Sequence, residues 1–207
     1  MSIITISREF GSGGRELGRK LAEILGFEYY DKEIVNTIAK SKGLDAAYVE
    51  QALEDREWIS MPVTFSSSLT ADLGVRVDRI ELLRDQRFVI EGIGKSGKDC
   101  VIVGRNADII LKEYHPFKIF VCADIEHKIQ RCMDRAPEGE DFSRNEIVQG
   151  IKMVDKARAR SRRIVSGRNK LERTDYDLIV NTSDWNIDDL APAIAEMAKS
   201  WFARKKA

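Results

Sequence analysis

The sequence is poor in the side chains that build metal centres and disulfides. It holds only three cysteines and two histidines in 207 residues. Cys100, Cys122 and Cys132 form no Cys-x-x-Cys pair, while His115 and His127 lack a second ligand at metal spacing. This scarcity argues against a zinc site and predicts reduced, buried thiols, as in a cytoplasmic protein.

The sequence also lacks an excess of either charge and any long apolar run. Lys plus Arg and Asp plus Glu both number 34, so no global field attracts nucleic acid or an anionic membrane. No apolar stretch approaches the roughly 20 residues that span a bilayer. The N-terminal MSIITIS lacks a basic n-region and is predicted to be a strand, not a signal peptide. We therefore expect neither a nucleic-acid nor a membrane partner.

What the sequence does contain is an alternation of strand-like and helical segments. Runs that are apolar at nearly every position are typical of strands buried on both faces of a parallel sheet. Such strands are predicted at 2–7, 100–104, 118–123 and 176–181, with a short edge strand at 27–31. Helical patterns lie between them, the longest at 144–166 and 187–202. The alternation predicts one three-layer α/β domain over 1–207, with a parallel sheet of about five strands and a helical insert at 43–87.

A glycine-rich stretch, GSGG at 11–14, separates the first predicted strand from the first helix. This order aims backbone N–H groups and a helix N-terminus at an anion, and glycines allow phosphate oxygens to approach the backbone. Three interpretations stay open from the residues alone: a tight turn without a ligand, a dinucleotide site and a nucleoside-triphosphate loop. The dinucleotide pattern requires glycine where Glu16 stands. The triphosphate pattern G-x-x-x-x-G-K-[ST], laid over 9–16, places Arg15 and Glu16 where lysine and a hydroxyl are expected.

Three segments carry a family resemblance, in the family's order. ISREFGSGGRELGRKLAEILGFEYYDKEIV, VIVGRNADIIL (101–111) and DYDLIVNTS (175–183) resemble the cytidylate kinase-like family, a branch of the P-loop nucleoside monophosphate kinases. The resemblance implies a P-loop NTPase fold, ATP as phosphoryl donor, CMP or dCMP as acceptor, and Mg²⁺. It implies that ATP binds the loop residues Gly11, Ser12, Gly13, Gly14, Arg15 and Glu16.

Within that loop, Arg15 takes the place of the phosphate-pairing lysine and becomes a catalytic candidate. Glu16 takes the place of the magnesium-binding hydroxyl and becomes the metal candidate. The same two replacements support an alternative function, a nucleotide-binding regulator or sensor that lacks phosphotransfer.

The acceptor site is predicted around Arg105, which follows strand 100–104 in GRNAD. Open α/β sheets bind ligands at the carboxyl ends of their strands, and the resemblance implies that this segment contacts the acceptor monophosphate. Asp108 either orients Arg105 or caps a helix at 108–113. Asp31 either lies near the phosphates, as the resemblance implies, or N-caps the following helix. Arg76, with Arg79 on the same predicted helix face, either reaches the cytosine base or lies on the surface.

Four further arginines are catalytic candidates in a predicted lid at about 135–163. Arg131 and Arg135 are four apart and are predicted to share a helix face, while Arg158 and Arg162 follow on the next helix. Arginine-bearing helices around a polar connection with proline and glycine are typical of a kinase lid that excludes water. Two alternatives stay open: a charged solvent-exposed face, and a nucleic-acid patch, which the zero net charge disfavours.

Overall fold

A computed structural model describes residues 1–54, 79–136, 142–168 and 172–206. Its strands are β1 (Ile3–Arg8), β2 (Glu28–Tyr30), β3 (Cys100–Val103), β4 (Phe117–Cys122) and β5 (Leu178–Asn181). Its helices are α1 (Gly14–Leu25), α2 (Lys32–Lys42), α3 (Ala46–Glu54), α4 (Arg79–Lys95), α5 (Ala107–Ile110), α6 (Ile125–Met133), α7 (Arg144–Ser166) and α8 (Ile187–Lys206). None of the described helices combines the length and apolar content needed to cross a membrane.

The five described strands form one sheet in the order β2-β3-β1-β4-β5. Every neighbouring pair is parallel, and the central strand β1 pairs with β3 through Ile4 and Val101 and with β4 through Ile4 and Phe117. Because all strands point the same way, their carboxyl ends meet at one edge of the sheet. The predicted α/β fold with about five parallel strands is confirmed, and β2 is the predicted edge strand.

The sheet separates two hydrophobic cores, and successive residues of each central strand enter opposite ones. Ile4 and Val101 pack with α1 and α8, whereas Ile3 and Ile102 pack with α2, α3 and α4. This burial on both faces explains why the strand sequences are apolar at nearly every position. Burial also raises the pKa of the Cys100 thiol to about 12, so this cysteine stays protonated.

Helix α1 approaches the sheet closely because Gly18 has no side chain. A Cβ at Gly18 would lie 2.6 Å from Cγ2 of Val103. The helix ends at Gly26, whose φ of 68° is the left-handed conformation that glycine adopts without steric cost. The close packing fixes the N-terminus of α1 at the carboxyl edge of the sheet.

The long helix α7 coincides with the predicted helix at 144–166. Its N-terminus is set by a capping box, in which the Ser143 hydroxyl accepts from the Glu146 N–H and the Glu146 carboxylate accepts from the Ser143 N–H. The helix buries Ile147 and Ile151 against α6. Helices α6 and α7 therefore form one packed unit over the sheet edge.

Helix α3 and the start of α4 fall within the predicted insert at 43–87. Helix α4 continues to Lys95 and buries Leu82 and Ile90 in the second core. Arg76 lies outside the described residues.

Candidate functional site

The glycine loop lies between β1 and α1, at the carboxyl edge of the sheet. Gly11 and Gly13 have φ values of 74° and 79°, a region that other residues rarely adopt. A Cβ at Gly14 would lie 2.7 Å from the Cβ of Arg8. No side chain caps the start of α1 at Gly13, so the N–H groups of the first helical turn remain available to an anion.

A buried hydrogen-bond relay holds the loop to the end of β5. The Thr182 hydroxyl donates to the Ser12 carbonyl at 2.7 Å, and Nη1 of Arg131 donates to the same hydroxyl at 3.1 Å. Nη2 of Arg131 donates to the Thr182 carbonyl at 2.6 Å. Thr182 and Ser12 are fully buried, so these bonds are shielded from water. The sequence reasoning missed Thr182, although a threonine directly after a strand of a parallel sheet stands at the ligand-binding edge.

A second set of contacts holds the loop to α6 and α7. The buried Lys128 ammonium contacts the Glu9 carboxylate and lies 3.8 Å from Asp155. Asp155 accepts from the Phe10 N–H at 2.7 Å. Burial raises the pKa of Asp155, and the loop N–H and the nearby cations oppose this rise. The sequence reasoning missed Lys128 and Asp155, because no local motif marks them.

The two unusual loop residues are both engaged in ion pairs. Nε of Arg15 lies 2.5 Å from Oδ2 of Asp31, whose side chain is 3% exposed. Nη2 of Arg135 lies 2.5 Å from Oε2 of Glu16. Asp31 occupies the N-cap position of α2 but makes no capping hydrogen bond, so the N-cap interpretation is wrong. Its carboxylate instead faces the arginines of the loop and of β1.

A cavity of about 670 Å³ opens in front of the glycine loop. Its wall includes the loop residues from Glu9 to Glu16, Asp31, Arg131 and Arg135, together with apolar side chains of α7. This volume lies within the range of about 300–1,000 Å³ found for ligand pockets. The backbone N–H groups and arginines suit an anionic end, and the apolar wall suits an aromatic one.

A second cavity, of about 310 Å³, lies beside the first and contains Arg105. The Arg105 residue is 9% exposed, and its Nη2 donates to Oε1 of Glu50 at 3.4 Å. Its carbonyl accepts from Nε2 of Gln86 at 2.9 Å. Arg105 and Asn106 both have positive φ, 58° and 56°, an uncommon conformation that often marks a ligand site.

Asp108 lies in the same region but serves a different arginine from the predicted one. Its Oδ2 accepts from Nη1 of Arg162 at 2.6 Å. The cap position of α5 is Asn106, and Asp108 lies inside the first turn, so the predicted cap of a helix at 108–113 is wrong. The Arg162 guanidinium also lies 5.2 Å from the ring of Tyr176. Burial raises the pKa of Tyr176 to about 12, so its hydroxyl remains protonated.

The four predicted lid arginines are divided between the two cavities. Arg131 and Arg135 line the larger one, whereas Arg158 and Arg162 line the smaller one. Arg131 and Arg135 do not share a helix face, because α6 ends at Met133. Ala136 precedes a proline in the sequence, a position at which the helical conformation is disfavoured.

The two cavities adjoin at the end of β1, where Arg8 and Glu9 line both. Within the described residues, no group of three His, Cys, Asp or Glu side chains is arranged to hold a metal ion. Mg²⁺ commonly keeps several waters and binds through one or two carboxylates plus substrate phosphates. Glu9 and Glu16, both in the wall of the larger cavity, fit that mode of binding.

Proteins of known sequence resemble this chain over most of its length. The cytidylate kinase of Natronomonas pharaonis is 27% identical over 202 residues, which cover 97% of this chain and 91% of the relative. The cytidylate kinase of Methanopyrus kandleri is 24% identical over 197 residues, which cover 90% and 88%.

Solved structures share the fold. An uncharacterized protein from Eubacterium ventriosum has a TM-score of 0.68 at 23% identity, covering 97% of this chain and 99% of that one. Shikimate kinase from Bacteroides thetaiotaomicron has a TM-score of 0.57 at 14% identity, with coverage of 96% and 98%. These likenesses show a shared fold, and they agree with the predicted α/β fold of about five parallel strands.

The family model confirms the resemblance that the sequence motifs carry. The model described as the cytidylate kinase-like family matches residues 3–184. That span includes the glycine loop, GRNAD and the strand β5 with Thr182. The chain belongs to the cytidylate kinase-like family.

Proposed function

We propose that this protein transfers the γ-phosphoryl group of ATP to a nucleoside monophosphate, CMP or dCMP. The observation that carries the proposal is the pair of adjoining cavities at the end of β1. Among the described residues, one cavity holds the glycine loop and the other is lined by four arginines. A phosphoryl donor and its acceptor need two adjoining sites, because their reacting atoms have to be held about 3–3.5 Å apart. The cytidylate kinases among the relatives support the choice of base.

The larger cavity is the proposed ATP site. The N–H groups of the loop and of the first turn of α1 cradle the phosphates, with Gly11, Ser12, Gly13 and Gly14 allowing the close approach. Arg15 is 40% exposed beside its partner Asp31 and supplies positive charge to the β- and γ-phosphates. Glu16, which pairs with Arg135 in this structure, is the residue that would hold Mg²⁺, and a metal ion held there would neutralise charge on the phosphates.

The smaller cavity is the proposed acceptor site. Arg105 has the position at the end of β3 from which a guanidinium can bind a phosphate through two parallel hydrogen bonds. Asp108 holds Arg162 in the same wall, and Arg158 is held by the Arg8 carbonyl at 3.2 Å. A nucleoside monophosphate bound here would contact these three arginines, whose side chains are already held by protein partners.

The transfer itself asks little covalent chemistry of the protein. An oxygen of the acceptor phosphate forms a bond to the γ-phosphorus as the bond to the β,γ-bridging oxygen breaks, giving ADP and a nucleoside diphosphate. Arg158 and Arg162 on α7, with Arg131 and Arg135 across the cleft, stabilise the charge and exclude water when the lid closes. The lid at about 135–163 and the insert at about 43–87 are proposed as parts of a single domain over 1–207, and residues 55–78 and 137–141 lie outside the described residues.

One observation favours a second function. Arg15 and Glu16 are both bound to protein partners, Asp31 and Arg135, at 2.5 Å. A loop whose cation and carboxylate are already paired suits a protein that senses nucleotides without transferring phosphate.

A coupled assay of ADP release over CMP, dCMP, UMP, AMP and GMP separates the two functions. We expect CMP or dCMP to give the highest kcat/KM. Tight ATP binding with no monophosphate-dependent ADP release would support the sensor, and transfer to AMP alone would contradict the cytidylate assignment. As a control, the exposed Arg87→Gln variant on α4 should match the wild type in every arm.

A further inference from the structure

The side chain of Arg8, the last residue of β1, is not among the residues assigned above to ATP or to the acceptor. It belongs to the wall of both cavities, together with Glu9. Its side chain is 9% exposed, so the guanidinium is held inside the protein at the boundary between the two cavities. The backbone of Arg8 is fixed by the pairing of β1 with β4, where Arg8 lies opposite Val121.

The neighbouring backbone leaves room for the Arg8 guanidinium. Gly104, which follows β3, has a φ of 74°, and a Cβ there would overlap Nη1 of Arg8. On the other side, Cβ of Arg8 lies 2.7 Å from the place that a Cβ of Gly14 would take. Two glycines on different elements thus lie where Arg8 passes, one at the glycine loop and one beside the acceptor arginine Arg105.

Arg8 shares its carboxylate partner with a second arginine. Asp31 lies 3.8 Å from Nη2 of Arg8 but only 2.5 Å from Nε of Arg15, so one carboxylate is shared by two guanidinium groups. Glu9, the other shared wall residue, is bound by Lys128. The group of Arg8, Arg15 and Asp31 therefore places two guanidinium groups around one carboxylate at the edge of the larger cavity.

We infer that Arg8 is a catalytic residue that contacts the donor and acceptor phosphates at once, an inference that rests on the proposed phosphotransfer. The planar guanidinium presents five donors in a fixed fork, so one group can bind oxygens on two neighbouring phosphates. Negative charge develops between the two substrates in the transition state. A cation fixed there stabilises the transition state more than it stabilises the bound substrates.

The test compares Arg8→Gln with wild type and with Arg87→Gln, whose parent arginine is exposed on α4. Kd values for ATP and for CMP are measured separately, along with kcat for transfer. Arginines that meet the transition state contribute about 10³–10⁵ in rate in related chemistry, so we expect kcat to fall at least about 100-fold. The two Kd values should each change less than about threefold, since Asp31 keeps Arg15 as a partner.

A linked probe, adenosine joined to cytidine through five phosphates, spans both cavities and tests the geometry without turnover. Wild type should bind it at least about 10-fold more tightly than Arg8→Gln does, the effect of losing one charge-assisted contact. Equal binding of the probe, or a kcat within threefold of wild type, would overturn the inference. If wild type transfers no phosphoryl group, the proposed function fails, while the probe still decides whether Arg8 bridges the cavities.

Arg8→Lys provides the comparison if Arg8→Gln does not fold, as judged by its thermal unfolding. Lysine keeps the charge but cannot offer two donors in a fixed plane. A bridging role predicts that kcat and probe affinity both fall in Arg8→Lys. Wild-type values of both would overturn the role.

Discussion

The relay through Thr182 predicts which of two variants is the less stable, and that order separates hydrogen bonding from packing. Thr182→Val keeps the shape of the side chain and removes the hydroxyl that joins Arg131 to Ser12. The lost bond to the Ser12 carbonyl costs about 1 kcal/mol and the lost bond from the charged Arg131 costs about 1.5–3 kcal/mol. The free energy of unfolding should therefore fall by about 2.5–4 kcal/mol, which lowers Tm by roughly 5–16 °C in a chain of this size.

Thr182→Ser is the matched control, because it keeps the hydroxyl and deletes the methyl group. Its cost is about 1 kcal/mol, the value of a buried methyl group. Urea unfolding and ATP titration check both variants. If about 1.4 kcal/mol of the loss in Thr182→Val acts on the loop, ATP affinity falls about tenfold. A Thr182→Val protein as stable as wild type, or a Thr182→Ser protein that is the less stable of the two, would refute the relay.

Four further predictions follow from other contacts. Gly104→Ala should unfold at a clearly lower temperature than Gly97→Ala in a thermal melt: both glycines have a φ near 75°, but only Gly104 faces the Arg8 guanidinium, so equal melting would contradict that contact. Asp155→Asn should gain stability relative to wild type as the pH rises from about 4 to about 7, because burial raises the pKa of Asp155 and the native state keeps a proton that the unfolded state releases; urea titrations at both pH values check this. Arg105→Ala should raise the KM for the acceptor about tenfold or more with little change in ATP affinity. Steady-state kinetics with an unchanged acceptor KM and weaker ATP binding would contradict an acceptor site at Arg105. Glu16→Gln should weaken Mg·ATP binding more than metal-free ATP binding in a calorimetric titration, and equal binding would leave Glu16 as a partner of Arg135 alone.

The sequence alone was sufficient for the fold, because its signals are local and periodic. Strands buried on both faces are apolar at most positions, so the runs at 2–7 and 100–104 were recognisable without knowing their neighbours. Ser143 and Glu146 mark the start of α7 within four residues of sequence. The glycine loop is likewise a continuous stretch, and its family resemblance is confirmed by the family model.

The tertiary structure decided the partners of the charged side chains. Asp31 binds Arg15 rather than capping its own helix, and Asp108 binds Arg162, 54 residues away. The four lid arginines have similar local sequence surroundings, yet they divide between two cavities. A charged side chain pairs with whatever opposite charge the fold places within a few ångströms, and spacing along one helix carries no information about that neighbour.

Three residues that hold or face the site were not among the site candidates drawn from the sequence, for the same reason. Thr182 lies directly after β5, Asp155 lies on α7 and Arg8 ends β1. The parallel sheet brings the ends of its strands to one edge, and only there do these side chains meet the glycine loop. Local periodicity determined the helices and strands. The order in which the chain places its strands in the sheet determined which polar groups lie together.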